Sequence, residues 1–172
     1  MYNFLHRRSQ LREYILLLPI IFIIHDMEEI VGFKSFYEKN AWLYERYPRI
    51  TAPYRDLKTE RFALAVYEEF IPFFGLSLLA YYFPNQILYV IWMGLFVALT
   101  AHFVVHIGQS ILIRKYSPSL ITSIVFLPVS ILILYKSAAF IDFTPLTILC
   151  IIAVIPLMML NLIIAHKLMQ KT

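Results

Sequence analysis

The sequence predicts an all-α fold: a polytopic membrane helix bundle of about five transmembrane helices, with an interfacial segment between the first and second. Three observations predict it. Hydrophobic residues make up 60% of the chain and charged residues 15%, and the mean hydropathy is +0.71, outside the range of soluble globular domains. The apolar residues gather in runs of about 20, the length that crosses a hydrocarbon core. The runs lack the strict alternation of a barrel strand, whereas a helix satisfies its own backbone polar groups in lipid.

The first span is expected from about Tyr14 to Phe33. Arg7, Arg8 and Arg12 before the run Ile15 to Ile24 resemble the start of a signal peptide, but the run ends in His-Asp-Met-Glu-Glu rather than in small cleavable residues. The span is therefore expected to stay. The segment from Lys34 to Arg61 is too polar to cross, and Phe36, Trp42, Tyr44 and Tyr47 among its charges place it at the headgroup level, with a turn near Pro48 and Pro53. It reads as an interfacial connector, or as a lid if a site lies beneath it. The remaining spans are expected at about Phe62 to Phe83, Gln86 to Ile113, Leu120 to Tyr135 and Pro145 to His166. Pro19, Pro72, Pro128 and Pro156 fall inside spans, where each is expected to bend the helix or free a carbonyl.

No Gly/Ser-rich linker or shift of composition divides the 172 residues, so residues 1–172 read as a single integral membrane domain. The lone Cys150 has no disulfide partner and is expected only to pack. The net charge of +4 resides at the ends of apolar runs, which suits topology and anionic lipid and excludes a nucleic-acid role. Four Lys/Arg residues (Arg7, Arg8, Arg12 and Lys136) lie on one face, and the other eleven on the face of the first loop and the C-terminus. By the positive-inside rule that second face is cytoplasmic, in a membrane expected to be the bacterial plasma membrane. The sequence assigns no oligomeric state.

The spans carry unusual polar residues at one depth. At about 1.5 Å per residue, Glu29 lies about 8 Å and His25 about 14 Å from Lys34, and Glu69 about 12 Å from Arg61, with Glu68 beside it. His106 and His102 lie about 12 and 18 Å from Arg114 by the same rise. Because the chain reverses at each loop, all are measured from the same membrane face. Direction converges too: His25, Glu28, Glu29 and Gly32 form one helical stripe, and His102, His106 and Gln109 another. Asp26 is expected to point away from its stripe. Glu68 and Glu69 are about 100° apart on the helix, so only one can aim at a common centre, and Glu69 is preferred.

Charged side chains at mid-span cost roughly 2.5–3.5 kcal/mol each on the insertion scale. These three spans offer no internal Lys or Arg in compensation, which leaves protonation, His⁺ pairing or a bound cation. A divalent metal ion answers best, since imidazole and carboxylate ligate zinc, iron and manganese. The expected ligands are His25, Glu28, Glu29, Glu69, His102 and His106, for one or two ions. The surplus of carboxylates leans toward two, by analogy of chemistry with carboxylate-bridged di-iron bundles.

The motif His25-Asp26-Met27-Glu28-Glu29 in the first span, followed by Glu68-Glu69 and by His102 and His106, resembles the HXXEE family of small bacterial membrane proteins. The resemblance covers at least the first three spans and implies that His25, Glu28 and Glu29 belong to a shared signature; it implies no activity. Membrane proteases of the CAAX type use a Glu-Glu pair followed by Arg, but Phe33 and Phe73 occupy the corresponding places here.

Two chemistries follow from a metal. In a hydrolytic one, the three histidines hold the ion and Glu28 or Glu29 is the general base; in an oxidative one, Glu28, Glu29 and Glu69 bridge or cap two irons. Either would act on a lipid or other apolar substrate arriving from the bilayer. The alternatives are ion or proton handling through the same cluster, or polar groups acting only as interhelical glue. No inverted repeat supports a transporter, so the reading leans toward a membrane metalloenzyme. His6 and His166 read as solvated and interfacial, Asn161 as a packing contact or an outer support of the site.

Overall fold

The computed structural model describes residues 11–56 and 58–170, apart from the side chains of residues 166 and 168–170. His6, Arg7, Arg8, Lys171 and the His166 side chain lie outside that description. Five long helices, α1 (Leu17–Lys39), α2 (Thr59–Tyr82), α3 (Gln86–Ile113), α4 (Leu120–Ala138) and α5 (Pro145–Gln170), follow a helical turn over residues 11–15, and no strand occurs among the described residues. α2, α3, α4 and residues Pro145–Ala165 of α5 are long and apolar enough to cross a membrane. α1 has the length, at 23 residues, but carries Asp26, Glu28, Glu29 and Lys34 along it.

α1 continues past Phe33 to Lys39 because neither Gly nor Pro interrupts it before Asn40, whose Nδ2 donates to Phe36 O at 2.8 Å. The helical chain from residue 11 is interrupted at Leu16, just ahead of Pro19, and the carbonyl four residues before this proline, Ile15 O, lacks its helical N–H partner and is free to accept from another helix, as expected of a proline within a span. The connector after α1 folds into two short helices, Trp42–Arg46 and Pro48–Thr51, and a 3₁₀ turn, Ala52–Tyr54. Asn85 caps α3 by accepting from Leu88 N at 3.0 Å, and Arg114, at φ 53°, ends it in the left-handed conformation that closes helices.

α3 is the centre of the bundle, packing against α2, α4 and α5, while α1 lies against α2 and α4. Gly94 permits the approach of α5: a Cβ there would stand 2.8 Å from Val154 Cβ. α4 buries Ser123, Ser130 and Ser137, spaced by seven, and small residues in such register allow close helix contact in lipid. Rings fill the space between α1 and its neighbours α2 and α3. Trp92, fully buried, donates from Nε1 to Ile15 O at 3.0 Å, and Phe22 stacks on Phe73 with centroids 4.4 Å apart. The outward residues are apolar, among them Val31, Leu64, Ile87 and Ile111, as a lipid-facing surface requires. Cys150, expected to pack, is exposed on α5.

Candidate metal centre

His25 and Glu29 are one turn apart on α1, and His102 and His106 one turn apart on α3, so each helix presents two groups on one face. The bundle turns these faces together. One ligand atom from each of the four residues lies within 4.8 Å of every other, and the group can hold a metal ion. Glu29 Oε1 stands 2.8 Å from His106 Nε2, 3.8 Å from His102 Nε2 and 3.9 Å from His25 Nε2. The two α3 imidazoles meet at 2.8 Å between their Nε2 atoms. Phe103, edge-on to the His25 ring at 4.7 Å, forms part of the wall.

His25, Glu29 and His106 are buried, whereas the His102 side chain is 36% exposed and gives the group its open side. Lys34 and Arg61, the nearest basic residues along α1 and α2, stand at the ends of the spans. His25 Nε2 is buried without a hydrogen-bond partner, and Glu29 Oε1, although close to His106, lacks hydrogen-bond alignment. Buried polar atoms are nearly always satisfied, so orphaned donors of electron pairs that converge in this way fit a cation among them. Three imidazoles and a carboxylate form a donor set suited to zinc, iron or manganese.

Of the six expected ligands, Glu28 and Glu69 stand outside this group. Glu28 turns to the N-terminus of α4: its Oε2 accepts from Thr122 N at 2.9 Å and Thr122 Oγ1 at 2.6 Å, and its Oε1 from Ile121 N at 3.3 Å and the Tyr116 hydroxyl at 2.6 Å. A carboxylate facing free amide N–H groups and the positive end of a helix is well placed there. Partial burial and the Glu28 carboxylate push the Tyr116 hydroxyl up to about 12, which keeps it a donor at neutral pH. Glu69 is half-buried, within electrostatic reach of His102 and Glu29. Glu68 accepts instead from Asn161 Nδ2 of α5, at 3.3 Å. Asp26, expected to point outward, is buried, with Glu29 and Glu69 as its charged neighbours, because its side of α1 meets α2. Glu28 and Glu68 are thus drawn to other partners, while Asp26 and Glu69 remain as carboxylate neighbours of Glu29.

The segment after α1 covers the first-loop side of the group. Phe33, one turn beyond Glu29, stands edge-on to Tyr54 at 5.5 Å, and Tyr54 stacks on Tyr37 at 4.8 Å. Tyr44 donates to Tyr54 O at 2.9 Å and closes the stack. Sequence reasoning missed Thr122 and Tyr116. Both lie where one span ends and the next begins, and a threonine at the third position of a helix carries no signal of its own.

The sequence profile of a family described as "Protein of unknown function with HXXEE motif" matches residues 16–133. No curated protein and no solved structure matches the chain.

Proposed function

The chain belongs to the HXXEE family of proteins of unknown function, and we propose that its motif histidine and second glutamate, His25 and Glu29, join His102 and His106 to bind one divalent transition-metal ion for intramembrane hydrolysis of a lipid or other apolar substrate. The observation that carries the reading is the convergence of four ligand atoms within 4.8 Å, two of them buried without a hydrogen bond. When bound, the ion supplies Lewis-acid polarisation. Glu69 supports hydrolysis over oxidation as the chemistry, because a spare carboxylate beside the ligands can move protons without entering the metal's shell. The exposed flank of His102, beside the exposed apolar Val105 one turn on, supports entry from the bilayer, and the aromatic stack on the first-loop side supports exclusion of bulk water.

The test is elemental analysis of detergent-purified protein carrying no metal-binding tag, beside His25→Ala and His106→Ala. The expected result is about one equivalent of zinc, iron or manganese in the parent protein, lost in both variants while membrane insertion persists. A parent protein that binds none of these metals, even after reconstitution, overturns the proposal.

A further inference from the structure

We infer that Thr122 is a positioning residue that holds His25 in a single tautomer, with the ring proton on Nδ1 and the lone pair on Nε2 directed into the ligand group. Thr122 Oγ1 stands 2.6 Å from Glu28 Oε2 and 2.9 Å from His25 Nδ1. A hydroxyl has one proton to give. The carboxylate, acceptor-only and at the shorter distance, takes it; Ser119 O, at 3.3 Å, is the weaker competitor. Oγ1 is then an acceptor toward His25, so Nδ1 must be the protonated nitrogen. The other nitrogen, Nε2, is the buried atom without a hydrogen bond, 3.9 Å from Glu29 Oε1.

The chain of bonds His25 Nδ1–H to Thr122 Oγ1–H to Glu28 gives the two ends of the H-x-x-E pattern one task. Residues three apart on α1 grip the same threonine of α4, one through its oxygen lone pair and one through its proton. Glu28 is itself held by the amide N–H groups of Ile121 and Thr122 and by Tyr116, so the acceptor at the end of the chain cannot swing away. Supports of this kind orient metal-binding histidines and raise their basicity, and losing one typically costs about 10–100-fold in metal affinity.

The consequence for affinity rests on the metal reading above, but the tautomer stands independently of it. The experiment is ¹⁵N NMR of histidine-labelled, metal-free protein in detergent, with His25 assigned by its loss in His25→Ala, followed by zinc titration of the parent, Thr122→Val and Thr122→Ser. The expected spectrum shows His25 protonated on Nδ1 in the parent and in Thr122→Ser. In Thr122→Val that preference is lost and zinc affinity falls about 10–100-fold. An Nε2–H tautomer in the parent overturns the inference even if the valine variant does not fold, as does unchanged tautomer and affinity in a folded valine variant. A parent with the Nδ1–H tautomer that binds no metal refutes the metal reading and leaves Thr122's role standing.

Discussion

Glu28 and Glu29 are chemically identical neighbours with different fates. Glu29 meets three imidazoles, while Glu28 meets two amides and two hydroxyls at the start of α4. The difference is about 100° of helical rotation, enough to send one carboxylate toward α3 and the other toward α4. His25 serves both, through a different nitrogen on each side. A prediction at this scale separates ligand from neighbour. Glu29→Gln should weaken metal binding by more than the ~10–100-fold typical of losing an outer partner. Glu69→Gln should leave stoichiometry and affinity unchanged. Competitive titration with a chromophoric chelator reads both, and equal losses would place Glu69 among the ligands after all.

Among the elements, the connector between α3 and α4 determines the site as much as the spans do. Its Pro118 ring is fully buried against Gly32 of α1, where a Cβ would stand 2.9 Å from Pro118 Cβ and Cγ. Ser110 and Ser117 meet at 2.5 Å, and Ser119 adopts φ 75°, a left-handed conformation that costs a non-glycine residue roughly 1–2 kcal/mol. That turn delivers the N–H groups of Ile121 and Thr122 to Glu28. Two glycine substitutions should therefore act with opposite sign in a thermal melt in one detergent. Gly32→Ala should destabilise by about 1–3 kcal/mol, because a rigid ring and a helix backbone must separate. Gly108→Ala, with nothing within 4 Å of its added Cβ, should be neutral or stabilise by up to about 1 kcal/mol through helix propensity. A Gly32→Ala melt unchanged from the parent would show that Pro118 yields freely.

For the whole molecule, charge asymmetry sets the expected orientation: the first loop, Arg114, Lys115 and the C-terminus toward the cytoplasm. Lys115 Nζ, which donates to Asn40 Oδ1 at 2.8 Å, ties the first and third connectors together on that face. A reporter that is active only in the cytoplasm should therefore work when fused to the C-terminus, and one active only outside should not; the reverse pattern would invert the bundle. The helices and the common depth of His25, Glu29, Glu69, His102 and His106 were legible in the sequence, because apolar length and the 1.5 Å rise fix the position of a residue along the membrane normal. The pairing of His102 with His106, and of His25 with Glu29, was legible from their four-residue spacing. Rotation about each helix axis and the choice of neighbouring helix were not, since a stripe that holds both Glu28 and Glu29 faces a broad arc. Only packing decided that arc: Gly32 against Pro118 and the left-handed turn at Ser119 brought Thr122 between His25 and Glu28, and left Glu29 to the histidines.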